Sequence, residues 1–317
     1  MGWQNSAVNG LLLIDKPQDF TSFDVCAVVR GMLRTKKVGH SGTLDPMATG
    51  VLPILVGSAT RALDWIPSHD KTYVAGFQLG LTTDTQDITG KVLSRSEVHT
   101  EESVLRQTTA YFQGDILQIP PMYSAVSVNG KKLYDLARQG VEVERQARPV
   151  TIYRISLDAY DPAAARGVLT VSCSKGTYIR TLIDDIGQRL GCGAVLTSLR
   201  RTEASGISID DCMTLEQAQR YKDEGILADQ LIPVDHIFEE YPALYISDSQ
   251  TVRFNNGAGL ALDRIHPPVI NGVRQEQRLD DERYEPNSVY RVYSYADRTF
   301  LGLGVKKDDE LRVLKRF

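Results

Sequence analysis

The sequence predicts an α+β protein, with a domain built on a largely antiparallel or mixed sheet over residues 1–240 and a small β-rich domain over 241–317. Three observations lead there. The 317 residues exceed what one compact core usually holds. Strand-like and helix-like segments mix without the regular strand–helix–strand rhythm of a doubly wound sheet. Near residue 240 the texture changes, because Tyr241-Pro242 follows an acidic stretch and the remainder is mostly strand-like.

The elements follow in order. Gly10 to Ile14 is an apolar run that stops at Asp15-Lys16-Pro17, a strand entering a loop. Thr21-Ser22 can cap a helix from Phe23 to Leu33, where Val25, Val28, Val29 and Leu33 keep helical spacing. A glycine-studded loop spans Gly39 to Gly50. Strands are expected at 51–56, 72–81 and 91–94, where β-branched and aromatic residues gather between turn residues. Residues 101–112, 133–138 and 178–190 read as helices, and 150–157 and 168–173 as strands. In the tail, 243–246, 289–295, 299–305 and 311–314 read as strands. A polar, proline-containing excursion at about 265–287 separates the first two of them.

Composition excludes several classes. No apolar run approaches the roughly 18 residues a membrane helix needs, and the start has the pattern of neither a secretory nor an organellar leader. A cytoplasmic protein is expected. Cys26, Cys173, Cys192 and Cys212 form no C-x-x-C pair, and the five histidines are isolated. Free thiols and no metal site are the expectation. The formal net charge of −4 weighs against a nucleic-acid partner, yet basic residues cluster at 34–37, 131–132, 145–154, 200–201 and 306–307. A polarised molecule with one basic face and a mixed solvated surface both fit this pattern.

The densest special segment is Gly39-His-Ser-Gly-Thr-Leu-Asp-Pro-Met-Ala-Thr-Gly50. Its glycines permit close backbone approach or positive φ, and Pro46 biases Asp45 away from helix onto a stiff loop. Such a carboxylate can be a nucleophile, a general base or a metal ligand, or simply half of an Asp-Pro turn. The loop lacks the lysine of a phosphate-binding loop and the glycine spacing of a serine-hydrolase elbow. In Lys71-Thr-Tyr73 the tyrosine offers a flat face for a base, or packs in a strand core. In Ser174 to Leu182 a glycine turn sets Tyr178 and Arg180 at a helix start, where the arginine can meet a carboxylate, a phosphate or only solvent.

Taken together and in order, these segments resemble the TruB family of tRNA pseudouridine synthases, the stand-alone bacterial type. The resemblance rests on Gly10–Pro17 (G-x-L-L-x-D-K-P), Gly39–Pro53 (G-H-x-G-T-L-D-P-x-A-T-G-V-L-P), Lys71–Tyr73, and T-D-T-x-D-x-x-G within Thr82–Gly90. It continues through Pro120–Ala125 (P-P-x-Y-S-A), Gly130–Arg138, Lys175–Arg180 and Leu199-Arg-Arg201, covering roughly residues 10–240. The tail looks like a PUA RNA-binding module, apart from the excursion at 265–287.

The resemblance implies an isomerase that converts uridine to pseudouridine at position 55 in the T loop of tRNA, with no metal, nucleotide or redox cofactor. It implies that Asp45 is the nucleophile and that Arg180 pairs with it. Tyr73 packs against the target base, Tyr178 and Leu199 line the base site, and His40 contacts the RNA and helps hold the opened loop. Asp87 joins the arginine in a network, and 121–149 is an insertion that clamps the RNA stem-loop. The partner is the tRNA T stem-loop without a guide RNA, the protein is a monomer, and a tRNA-folding role can accompany catalysis. Three other readings stand beside it: a guide-RNA-dependent synthase of the dyskerin type, an RNA-binding or RNA-folding protein without turnover, and, more distantly, a hydrolase. The insertion motif favours stand-alone action over the first, and Asp45 with Arg180 favours catalysis over the second.

Overall fold

The computed structural model describes residues 8–128, 130–266, 269–270, 273–274 and 287–317, with the backbone alone at 269, 270 and 274. Most of the excursion expected at 265–287 lies outside the described residues.

The first part of the chain runs β1 (Gly10–Lys16), α1 (Ser22–Leu33), β2 (Val38–His40), β3 (Thr49–Val56), β4 (Lys71–Leu79), β5 (Leu81–Thr83), β6 (Val92–Arg95), α2 (Glu102–Ala110) and β7 (Gly114–Gln118). It continues with β8 (Ser127–Val128), β9 (Lys131–Lys132), α3 (Leu133–Arg138), β10 (Arg148–Asp161), β11 (Arg166–Cys173), α4 (Ile179–Leu190), β12 (Ala194–Ala204), β13 (Ile207–Ser208) and α5 (Leu215–Asp223). Among the described residues these make a nine-stranded sheet in the order β1-β3-β12-β4-β11-β10-β7, with β2 on β3 and β13 on β12. Only β3 and β12 pair in parallel; the other ladders of this sheet are antiparallel. The sheet is therefore mixed and largely antiparallel, as the sequence predicts.

Helix α1 shows why its residues fold as they do. The Thr21 hydroxyl accepts from the Asp24 N–H at 3.1 Å, and the Asp24 carboxylate accepts from the Thr21 N–H at 2.8 Å, a complete capping box. Arg34 ends the helix in the left-handed region at φ 50°. Val25, Cys26 and Val29 then pack on Leu12, Ile14, Leu52 and Ile54 of β1 and β3, with Leu215 and Ala218 of α5 in the same cluster. A second cluster joins α2 and α4, through Leu105, Leu182, Ile183 and Ile186, to Phe77, Leu157 and Leu169 of the sheet.

Strand β12 is the main departure from the sequence reading, which assigns no strand to residues 194–204. Its charged run, Arg200-Arg-Thr-Glu203, hides the alternation of a buried strand. Arg201 is nevertheless fully buried, while Arg200 reaches Asp15 at 2.7 Å. β12 is central because it alone bridges β3 and β4. Gly50, at φ 107°, permits the close approach of β3, since a Cβ there would run into the Arg201 carbonyl. β7 and α5 likewise go beyond what the sequence reading assigns, and the expected loop from Gly39 begins instead with two strand residues, Gly39 and His40.

The tail contributes β14 (Ala243–Ile246), α6 (Asp248–Asn255), β15 (Leu260–Ala261), β16 (Val269–Ile270), β17 (Val273–Arg274), β18 (Val289–Ser294), β19 (Phe300–Lys307) and β20 (Glu310–Arg316). They form a second sheet, β15-β20-β19-β18-β14-β16-β17, over its own core of Leu244, Ile246, Phe254 and Val292. Phe238 and Leu303 pack with Leu55, Ala59 and Ala62 where the two sheets meet. Among the described residues, no helix is long and apolar enough to cross a membrane.

Candidate active site

The loop that carries Asp45 is tied down from several elements. The Ser22 hydroxyl, in the first turn of α1, accepts from the Leu44 N–H at 2.9 Å and donates to the Leu44 carbonyl at 3.3 Å. From β12, the Arg201 guanidinium donates to the Gly42 carbonyl at 3.1 Å and to the Val51 carbonyl at 2.8 Å. From β1, the Lys16 ammonium donates to the carbonyls of Phe20 at 2.6 Å, Pro17 at 2.8 Å and Pro46 at 3.2 Å. Two backbone bonds close the turn, Asp19 N–H to the Pro46 carbonyl and Ala48 N–H to the Asp45 carbonyl. Gly42 sits at φ 95°, where any other residue would be strained.

Arg180, at the start of α4, meets the carboxylate. Its Nε donates to Asp45 Oδ2 at 2.8 Å, its Nη1 to the Thr85 carbonyl at 2.9 Å and its Nη2 to the Tyr123 carbonyl at 2.8 Å. The arginine side chain is only 5% exposed, whereas that of Asp45 keeps 37%. A buried guanidinium with all three nitrogens engaged is fixed in orientation, and it holds a partly accessible carboxylate at an opening.

That opening is a cleft of about 260 Å³ whose walls include Asp45, Tyr73, Tyr178, Leu199, Arg180 and Lys71. Five of the residues singled out from sequence thus converge on one cavity. The other two do not line it. Asp87 lies behind Arg180, 3.9 Å from Nη1, and accepts from the Thr85 hydroxyl, the Thr89 N–H and the Thr89 hydroxyl at 2.9, 3.0 and 2.6 Å. It organises the turn that aims the Thr85 carbonyl at the arginine. His40 stands at the end of β2, with its ring edge-on to Phe23 at 5.1 Å. Burial and the nearby Arg201 charge lower the His40 pKa, so the ring is neutral at neutral pH. Burial raises that of Tyr73, which keeps its phenol protonated.

Sequence reasoning missed the side chains that hold these groups. Lys16 is fully buried, and burial pulls its ammonium down to about 8 against the opposing pull of Asp45. The signal was present, since a lysine between an apolar strand and a proline in a motif already singled out has few reasons to be there. Gln118 was invisible. Its carboxamide donates to the Tyr178 carbonyl at 3.0 Å and accepts from the Tyr178 N–H at 2.8 Å, which fixes the residue capping α4. Lys71 donates to the His69 carbonyl at 2.6 Å beside the cleft. Among the described residues no cluster of His, Cys, Asp or Glu is arranged to hold a metal ion.

Comparison with known proteins identifies the family. Residues 30–179 match the N-terminal domain of the TruB family pseudouridylate synthases, and residues 180–239 match the C-terminal domain of tRNA pseudouridylate synthase B. The two matched segments fold into one sheet here, because β12 of the second is inserted between β3 and β4 of the first. The tRNA pseudouridine synthase B of Clostridium kluyveri is 39% identical, over 98% of this chain and 100% of its own. That of Stutzerimonas stutzeri is 46% identical, over 79% of this chain and 82% of its own. Among solved structures, the crystal structure of a Cbf5-Nop10-Gar1 complex contains a chain 26% identical with a TM-score of 0.68, covering 97% of this chain and 84% of that one. On this sequence and fold agreement, the chain belongs to the TruB family of pseudouridylate synthases.

Proposed function

We propose that this protein isomerises uridine to pseudouridine in tRNA, at position 55 of the T loop, acting alone and with Asp45 as nucleophile. The N1–C1′ bond of the uridine breaks and a C5–C1′ bond forms. The C5 proton leaves to solvent and N1 takes one up, so atoms balance without a co-reactant. The observation that carries the reading is the pairing of a buried, fully engaged Arg180 with an accessible Asp45 at the mouth of the cleft. A carboxylate held at a fixed point can meet the sugar without the cost of reorientation.

The remaining residues take roles that fit their positions. Tyr73 and Leu199 form the apolar surface for a flipped base, and Tyr178 borders it from the cap of α4. Flipping costs a few kcal/mol, which stacking and loop contacts offset. His40, neutral and outside the cleft, suits a wedge in the opened loop. Asp87 backs the charge of Arg180 and does not touch the base. The segment 121–149 is read as the clamp on the stem-loop and 241–317 as a PUA-like RNA-binding module. A cytoplasmic monomer is the assembly we infer, and a tRNA-folding role is compatible with the same contacts.

The test uses T-arm RNA carrying tritium at C5 of the target uridine, with the protein as the sole macromolecular addition. Tritium release by the wild type and none by Asp45→Asn, with RNA affinity kept, is the expected result. One charge among many phosphate contacts changes affinity little. Near-normal release by Asp45→Asn would remove the nucleophile assignment. Tight binding with no release by the wild type would favour a guide-dependent or binding-only protein.

A further inference from the structure

We propose that Phe23 is an additional RNA-contacting residue, a preset aromatic platform beside His40 on which an unpaired base of the tRNA loop stacks. The inference rests on the reading of the site given above. Phe23 is 73% exposed although it is the second residue of a helix with a well-packed inner face. Single exposed apolar residues are ordinary on protein surfaces, so exposure by itself means nothing. Position is what distinguishes this one.

Both chain neighbours of Phe23 are fixed. On one side Ser22 is bonded twice to Leu44, the residue before Asp45. On the other, Asp24 closes the capping box with Thr21. The ring therefore stands at a set distance from the catalytic loop, and the helix restricts its rotamers, so little entropy is lost when a base covers it. Its edge-on contact with His40, at 5.1 Å and 80°, leaves most of the phenyl surface open to solvent.

The chemistry of this corner selects a base over a phosphate. The two rings offer π surface, and burial beside Arg201 keeps the imidazole uncharged. Cations for the backbone are available nearby, since Lys36 and Lys37 are exposed just ahead of β2. Lys37 precedes His40 by three residues, about 10 Å along an extended strand and more than one nucleotide step away. A strand of RNA lying along β2 can place phosphate on the lysines and an unstacked base on Phe23.

The experiment compares Phe23→Ala, Phe23→Leu and Phe23→Trp. Affinity is measured by anisotropy of a fluorescein-labelled T-arm stem-loop, and turnover by tritium release from the C5-labelled RNA. Stacking of one base predicts about a tenfold rise in Kd and an equal fall in kcat/KM for Phe23→Ala. Phe23→Trp should stay within about twofold of wild type, and Phe23→Leu should behave like the alanine variant. Melting temperatures should be unchanged, because the ring is exposed, and the dependence of Kd on salt should keep its slope. An alanine variant within about twofold of wild type would overturn the proposal. So would full rescue by leucine, which would make Phe23 a mere buttress for His40. A shallower salt slope would also overturn it, as it would point to phosphate contact. If the wild type binds RNA but releases no tritium, the proposed activity fails while the Kd comparison still decides the role of Phe23.

Discussion

The loop around Asp45 and the segment 121–149 border the same cleft, yet they are built on opposite plans. The loop is held by buried charged side chains from β1, β12 and α4, and by a buried hydroxyl from α1. The segment 121–149 is mostly exposed, with Leu133 and Leu136 of α3 among its few buried side chains. Several of its bonds are local, such as Lys132 to the Ala125 carbonyl at 3.0 Å and Arg145 to the Glu142 carboxylate at 3.2 Å. Its link to the Asp45–Arg180 pair is the Tyr123 carbonyl, which accepts from Arg180. The contrast teaches a division of labour. Bond making needs groups placed to a fraction of an ångström, which over-determination supplies. The grip on a stem-loop proposed for 121–149 would need reach and adaptability, which a thinly packed segment supplies.

Removing the shared element should have the largest effect. Arg180→Ala takes away the partner of Asp45 and leaves the Thr85 and Tyr123 carbonyls without their donor. Turnover should fall by about three orders of magnitude, the scale for losing a preorganised charged group at a reacting centre. Each orphaned carbonyl costs about 1–3 kcal/mol, so the unfolding free energy should drop by a similar amount. Arg180→Lys keeps the charge but cannot span three acceptors in a plane, and should recover only a small part of the rate. Single-turnover tritium release together with denaturant unfolding reads both effects. Wild-type turnover in Arg180→Ala would break the comparison, because the loop would then position Asp45 without help from α4.

Lys16 sharpens the comparison through pH. The protonated ammonium has three N–H groups and donates to three carbonyls, one of them on Pro46 beside Asp45. A neutral amine has only two N–H groups. With its pKa lowered by burial to about 8, turnover should decline as pH rises past that value, while the loop loses a tie. Global stability should move the other way. Between pH 8 and the ordinary lysine value of 10.5 the unfolded chain binds more protons at this lysine than the folded one, so its contribution to unfolding free energy rises with pH. Lys16→Met should be about tenfold slower at neutral pH, from the loss of charged hydrogen bonds, and its rate should lack the alkaline decline. A decline retained in Lys16→Met would assign it to another group.

The same contrast explains what the sequence could disclose. The Asp45 loop is legible because its constraints are chemical and local, with positive φ at Gly42 and Gly50 and a proline after the aspartate, and the Thr21-Ser22 cap of α1, whose serine holds Leu44, is a real capping box. Tyr73, Tyr178 and Arg180 stand out in their own segments but with several readings open, Leu199 enters only through family resemblance, and their convergence on one cleft is a tertiary fact that no window of sequence contains. β12 was hidden because Arg201 is a buried cation in a strand, a case in which hydropathy gives the wrong sign. Gln118 was hidden because a polar residue between apolar ones looks like an outward strand position, yet it is 2% exposed and bonded to the backbone of α4. Helix α5 was masked by the acidic character of 210–240, although Thr214 and Gln217 form a capping box that could have been read.

The smallest effect belongs to the exposed side of the comparison, and it tests whether 121–149 grips RNA by charge. Lys131 and Lys132 of β9 pair with Val128 and Ser127 of β8 at the base of α3, and both are exposed. If each meets a phosphate, replacing one lysine should weaken binding by a few-fold at low salt and lower the slope of log K against log salt by roughly one. Lys132→Ala also removes the tie to the Ala125 carbonyl, so it mixes charge with local order, and Lys131→Ala is the cleaner variant. The rate under saturating RNA should stay at the wild-type value, because among the described residues the bond from 121–149 to the Asp45–Arg180 pair is made by the Tyr123 carbonyl, outside the hairpin. A fall in that rate with an unchanged salt slope would mean that the segment shapes the cleft instead of holding the stem. The division between a fixed catalytic loop and an adaptable grip would then have to be redrawn between Tyr123 and Lys131.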